Sequence, residues 1–487
     1  MPRRSPARAD MGPRDAPRRW SSAAARLAGP VRDWIRGHHR QRAEAPRPDE
    51  PPIPTDLLDL LRRVGVALIG SVETTNRVQV ILEDLAHRYG YDEVRFFVLP
   101  TAVFVRVEDA GGNTYIDLLD ADVGTLRLDQ IDRLYRLIAE IKRTLPPPAR
   151  ATAELETILD APPPTAIWLQ LLGNVVLTLG LGMMLNPSAR ALVGYCVLGL
   201  VVQVLIMLAD RFRLLRLALP VAAGATVTLL AFGFPAVLSG GYPTQLIVPA
   251  VAALLPGAVL TNGTIELATG SMVAGSSRLV YGINMLFLLA FGILVGLQII
   301  GTDPHRIETV VQLGWWAPVL GVLLIGLGHS WRSSAPPDSI LWLLVVLYAT
   351  YCAQELGKLS GGDLFGAFLG GLVAVPAAYL IQRDRHAPPV QVVFLPAFWM
   401  LVPGTIGLTG VSELVTGVGS DGVHVIVTTL LTIMAIALGV MVGSGLVATK
   451  RPHLMPMVQK LLPEGTSITR GRESAHRDGV SPDGGQS

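Results

Sequence analysis

From Ala166 onward the chain is written in apolar runs of membrane-spanning length. A helix needs ~20 mostly apolar residues to cross a bilayer. Lipid accepts only backbone whose N–H and C=O groups are satisfied internally. Ten such runs are legible: 166–185, 190–209, 215–238, 244–262, 279–300, 315–331, 339–356, 361–382, 391–408 and 424–448. Composition agrees, because charged residues make up 16% of the chain, against roughly 25% in an ordinary soluble protein. Most of the charge lies before residue 160 and in the C-terminal tail.

The fourth and ninth runs carry helix breakers and an acid. LLPGAVLTNGTIELATG, residues 254–270, and LVPGTIGLTGVSELVTG, residues 401–417, align at an offset of 147 with eight identities in 17 positions. Pro256 falls on Pro403, Gly257 on Gly404, Gly263 on Gly410, Glu266 on Glu413 and Gly270 on Gly417. Upstream, Pro249-Ala250 falls on Pro396-Ala397. The chain therefore reads as a duplication of five spans each. An odd number of spans per copy turns the second copy upside down, which is the inverted-repeat plan of many secondary transporters.

The expected fold is a polytopic α-helical membrane protein, ten spans as two inverted five-helix repeats, with a small N-terminal α+β cytosolic domain. The expected division is a basic disordered leader over 1–54, the α+β domain and a linker over 55–160, the first membrane repeat over 161–310, the second over 311–450, and a disordered tail over 451–487. The leader holds twelve arginines, no lysine and ten prolines. It has no apolar core of the kind a secretory signal needs.

In the N-terminal domain, Leu57, Leu61, Val64 and Leu68 share one helical face. A second helix is expected over 72–89. Val94, Phe96, Val98 and Val103, Val105, Val107 alternate as half-buried strands do. Another helix is expected near 128–145. The prolines of 146–148 and 162–164 read as a stiff connection into the membrane. No GxSxG, HExxH or P-loop occurs, and His87, Asp92 and Glu93 read as surface and turn residues, so no enzyme is expected. Cys196 and Cys352 form no CxxC pair, and no metal or cofactor is expected.

Proline removes a helix hydrogen bond, and glycine tolerates the backbone angles of a break. Within a membrane, broken backbone survives only against protein or a water-lined cavity, where half-helix ends favour ions. The candidate substrate-binding or helix-break residues are Pro256, Gly257, Thr261, Asn262, Pro403, Gly404 and Thr405, with Asn174 and Asn284 as weaker candidates. Glu266 and Glu413 are the proton-coupling candidates, because ionisable groups near a bilayer are costly and tend to mark pathways. Helix–helix hydrogen bonding is the default reading of the span amides. His329 reads as interfacial.

Lys and Arg near the span ends set orientation. With the N-terminus inside, nine lie on the cytoplasmic side, Arg278 and Arg332 among them, and three outside, which places both termini in the cytoplasm.

With SVETTNRVQVILEDLAHRYGYDEVRFFVLPTAVFVRVED followed by ten spans, PGxxLTNxxxEL in the fourth and VPG in the ninth, the chain resembles the threonine/serine exporter family. It is similar to the single-chain actinobacterial form over roughly residues 57–450. Glu266 stands where that family's first repeat motif is expected to carry aspartate. The resemblance implies export of L-threonine and L-serine across the bacterial inner membrane, driven by the proton motive force. The implied partners are the small-molecule substrate, protons and the lipid bilayer, without nucleic acid. A homo-oligomer is left open. Composition and periodicity by themselves leave an ion or small-solute channel, or an exporter of another small metabolite, as alternatives.

Overall fold

The computed structural model describes residues 53–108, 114–121, 124–301, 313–382, 384, 387–401 and 422–450. The N-terminal part begins with two helices, α1 (Thr55–Gly70) and α2 (Thr75–Arg88). Three strands come next: β1 (Val94–Leu99), β2 (Ala102–Glu108) and β3 (Thr114–Asp120). They form one antiparallel sheet in the order β1-β2-β3, with Val98 opposite Val103 and Val105 opposite Asp117. The strand alternation expected from sequence is present: Val94, Phe96, Val98, Val103, Val105 and Val107 all face the core.

Helices α3 (Leu128–Thr144) and α4 (Pro148–Asp160) close that core. Here the structure differs from the expected linker. Pro148 sits at the first helical position, where its missing N–H costs nothing. Ala151, Leu155 and Ile158 then fall at helical spacing and are buried against the other helices. Gln130 fastens the two together by donating to the Leu159 carbonyl at 2.8 Å. The proline-rich stretch therefore starts a core helix.

Among the described residues beyond 160 the main elements are helices: α5 (Ile167–Leu185), α6 (Leu192–Arg211), α7 (Arg213–Gly233), α8 (Thr244–Val251), α9 (Gly257–Ala268), α10 (Met272–Ile300), α11 (Trp316–Arg332), α12 (Ile340–Ile381), α13 (Val390–Leu401) and α14 (Gly422–Lys450). Among the described residues, six helices are long and apolar enough to cross a membrane, or seven when the bent pair Thr244–Leu254 plus Gly257–Ala268 is taken as one span. The expected count of ten is not reached on length and composition. α11 has 17 residues, fewer than the ~20 of a full span. α12 is continuous in hydrogen bonding over the seventh and eighth expected runs, although Gly362 (φ 82°, ψ −176°) bends it at the start of the eighth. On α6, Val193, Val197, Leu200, Val204 and Leu208 are exposed at helical spacing while Tyr195, Leu198 and Val202 are buried. Such an outer apolar stripe suits lipid.

Glycines set the closest helix contacts. A methyl on Gly173 would lie 2.9 Å from the Gly328 carbonyl oxygen, and one on Gly180 2.7 Å from that of Gly321. Numbers rise along α5 as they fall along α11, so the two helices run antiparallel. α7 and α10 meet through Gly224 against Leu289 and Gly292 against Val221. α12 and α14 meet through Gly371 against Ile436 and Gly439 against Phe368. Adding 147 to each number of the first set gives the second. The offset found in the sequence thus recurs as a repeated packing contact, and small residues permit it because backbones can approach without a side chain between them.

Candidate functional site

The break expected at Pro256 is present. Helix α8 runs through a short 3₁₀ turn into Leu255, whose backbone is extended (φ −71°, ψ 133°), and α9 restarts at Gly257 with a 63° change of direction. Pro256 cannot donate the hydrogen bond that would continue the helix. Beyond the break, Thr261, Asn262 and Glu266 are buried on α9, with Glu266 wholly inaccessible.

What buries Glu266 is the N-terminal domain. The loop between α1 and α2 lies against α9 and α10. Asn262 Nδ2 donates to the Val72 carbonyl at 2.7 Å. Thr75 N–H donates to Glu266 Oε1 at 2.8 Å. Arg278, on α10, donates from Nη2 to the Glu73 carbonyl at 2.8 Å. Its Nε lies 3.2 Å from Glu266 Oε2, but neither atom makes an aligned hydrogen bond. Asn76 Nδ2 donates to Thr269 Oγ1 at 3.1 Å, and Ser271 Oγ to Asn76 Oδ1 at 2.5 Å.

Local structure explains the fit. Thr75 opens α2, and its N-cap Thr74 makes no side-chain cap. The first N–H groups of a helix have no partner within it, and its positive end favours an anion. Glu266 supplies both acceptor and charge from another part of the chain. Val72 holds φ at 62°, which is unfavourable for a β-branched residue and costs of order 1–3 kcal/mol. The bond from Asn262 to its carbonyl helps hold this conformation.

A second ionic group adjoins the first. The Glu73 carboxylate accepts from Tyr135 Oη on α3 and from Gln391 Nε2 on α13, and it faces Arg77 Nε at 3.4 Å. Arg77 Nη1 reaches Tyr379 Oη on α12 at 3.2 Å. Burial alone would depress the Arg77 guanidinium, but Glu73, Tyr379 and Tyr135 together outweigh it and the pKa is raised. Burial, followed by the Glu73 charge, pushes the Tyr135 phenol well above its ordinary range. The domain is also fastened by Leu128 N–H donating to the Ser333 carbonyl at 3.0 Å, and Val392 of α13 joins its apolar core.

The candidates read from sequence separate. Asn262 and Glu266 come together with Arg278 and the 72–75 backbone. Thr261 is buried beside them in sequence with an unpartnered hydroxyl. Asn174 lies on α5 and donates to the Gly199 carbonyl at 2.7 Å, a tie between α5 and α6. Asn284 is exposed on the outer side of α10. Pro403, Gly404, Thr405 and Glu413 lie outside the described residues. His329, read from sequence as interfacial, is 3% exposed. Glu73, Arg77, Tyr135, Arg278, Tyr379 and Gln391 were not singled out by sequence. The one available signal was an acid followed by two threonines in SVETTNR, ahead of a helix start.

Spanning helices, a helix broken at a proline and a buried charged group just beyond it define a multi-pass membrane protein. The family described as "Putative threonine/serine exporter" matches residues 59–300 and 303–447. The chain belongs to this family. It is also similar to the pheromone-regulated membrane protein 10 of Debaryomyces hansenii, with 25% identity over 424 residues, covering 82% of this chain and 41% of that protein. An uncharacterized protein of Schizosaccharomyces pombe is 23% identical over 176 residues, covering 34% of this chain and 21% of its own length. The chain thus spans less than half the length of these curated relatives. No solved structure matches it.

Proposed function

We propose that this protein is a secondary transporter that exports L-threonine and L-serine, driven by the proton motive force. The observation that carries the reading is the bent pair α8–α9, with a wholly buried carboxylate, Glu266, beyond the break. Family membership supplies the substrate class. In this reading the ten apolar runs are spans, both termini are cytoplasmic, and the two five-span halves are inverted copies. The glycine contacts repeated at an offset of 147 support the duplication. The antiparallel α5–α11 contact supports inversion, since Gly173–Gly328 and Gly180–Gly321 exchange when the halves are swapped at an offset of 148, one more than in the later helices. Alternating access arises as one half rocks against the other around the two breaks.

Glu266 is the coupling group on the inner side, and Glu413 its counterpart on the other. As a carboxylate, Glu266 holds the start of α2 and faces Arg278. A proton on it weakens both interactions, and the domain loosens from the mouth of the broken helix. Proton occupancy and opening are linked in this way.

The test is counterflow of labelled L-threonine in proteoliposomes, with and without an imposed pH gradient. Trans-stimulation that responds to the gradient is the expected result. Counterflow indifferent to the gradient would remove the coupling role of Glu266 and Glu413. Absence of threonine flux would remove the substrate.

A further inference from the structure

The polar groups of α9 and α10 that meet the 72–75 loop touch its main chain. Glu266 accepts the Thr75 N–H, Arg278 donates to the Glu73 carbonyl, and Asn262 donates to the Val72 carbonyl. A carboxylate that takes an N–H and a guanidinium that takes a carbonyl oxygen, set 3.2 Å apart, form a matched donor and acceptor pair. The Glu266 Oε2 and Arg278 Nε atoms that face each other are both buried and make no aligned hydrogen bond. Their hydrogen-bonding capacity is only partly used by the loop.

We propose that Glu266 and Arg278 form the binding site for the substrate α-amino acid on its inner side, and that the Glu73–Thr75 backbone occupies it as a pseudo-substrate in this structure. The substrate ammonium takes the place of the Thr75 N–H on Glu266. The substrate carboxylate takes the place of the Glu73 carbonyl on Arg278, where it can also use Nε. The proposal rests on the exporter reading and names the site of that activity. An α-amino acid carries both groups on one carbon, so it spans the pair without separating it. The loop offers neutral dipoles where the zwitterion offers full charges, and charge-assisted hydrogen bonds are the stronger kind. The loop therefore excludes water and weak ligands but yields to the substrate. Its conformation is poised for release, because Val72 sits at φ 62°.

Thr75 provides a selective test. It is the first residue of α2, a position where proline is tolerated and only the N–H is lost. The preceding Thr74 is extended at φ −72° and ψ 144°, as a residue before proline should be. Thr75→Pro deletes the donor to Glu266, and Thr75→Ala keeps it. The measurement is equilibrium binding of labelled L-threonine to the full chain in nanodiscs, with L-threoninamide and N-acetyl-L-threonine as competitors. Thr75→Pro is expected to bind threonine about tenfold more tightly than Thr75→Ala, the worth of one hydrogen bond to a charged group. Wild type should prefer threonine to both competitors. Arg278→Gln should lose the preference over the amide, and Glu266→Gln the preference over the N-acetyl compound.

Equal affinity of the two Thr75 variants would overturn the pseudo-substrate role. That comparison stands even when the charge variants fail to fold. Wild-type binding with full discrimination retained in Arg278→Gln would overturn the site and leave the exporter reading standing. No L-threonine binding by wild type would overturn both.

Discussion

Thr75 donates its backbone N–H to Glu266 Oε1 at 2.8 Å, across 191 residues of sequence. A carboxylate in the helical body completes the first turn of a helix in the N-terminal domain. The pairing joins two energetic needs, an uncapped helix start and a buried charge that must be hydrogen-bonded. Replacing Glu266 by glutamine keeps the shape and removes the charge. Amide hydrogen exchange over residues 71–78 is expected to rise about tenfold in Glu266→Gln, since hydrogen bonds to charged groups are roughly twice as strong as neutral ones. Unchanged protection would show that other contacts hold the loop.

Pro256 has a separable effect. Its substitution by alanine restores a donor where the chain now bends by 63°. Pro256→Ala is expected to insert and purify like wild type but to transport at least about tenfold more slowly, because a straighter helix re-aims α9, which carries Glu266, relative to α8 by more than the ~1 Å that positioned groups tolerate. Flux in proteoliposomes together with a size-exclusion profile checks this, and wild-type turnover would detach the break from function.

The repeated glycines predict a matched pair of stability effects. Gly292 packs on Val221 and Gly439 on Phe368, equivalent positions in the two halves. A methyl at either place collides with a backbone carbonyl that cannot rotate away. Gly292→Ala and Gly439→Ala should each destabilise by about 1–3 kcal/mol, the usual range for overpacking, and by similar amounts. Thermal melting of the two variants is the check. A large effect at one site alone would mean that the halves do not pack as copies.

His87 and Asp92 give a pH-dependent effect outside the helical body. Their side chains pair on the surface of the N-terminal domain. The Asp92 hydrogen bond, followed by its charge, raises the His87 pKa above its ordinary value of 6.5. A histidine whose folded pKa is raised contributes stability below its unfolded pKa, and that contribution disappears as pH rises through the folded value. Asp92→Asn should therefore lower the melting temperature slightly at about pH 5.5, and the loss should shrink towards about pH 8.5 as the pH rises through the folded pKa. An equal loss at both values would point to Asp92 acting through its turn rather than its charge.

Much of this architecture is set by local sequence. Alternating valines and phenylalanines in 94–107 had one strand face to bury, and they bury it. Pro256 had no donor to continue a helix, and the helix breaks there. The offset of 147 reappears as glycine contacts because identical small residues allow identical backbone approach. These features depend on neighbours within a few turns, so periodicity and residue type suffice to reveal them. The helix at Pro148–Asp160 was hidden because its prolines resemble a linker, and only the burial of Leu155 and Ile158 distinguishes a core helix from one. The site is of another kind. Glu73, Thr75, Glu266, Arg278 and Gln391 come from four separate segments, and no local pattern says that a loop near residue 73 covers a carboxylate at 266. Sequence marked Glu266 as an acid too costly to place idly and Arg278 as one of several cations near span ends. Only the packing of the N-terminal domain on the broken helix made them partners, because a buried charge takes whatever donor the tertiary fold brings within hydrogen-bonding distance.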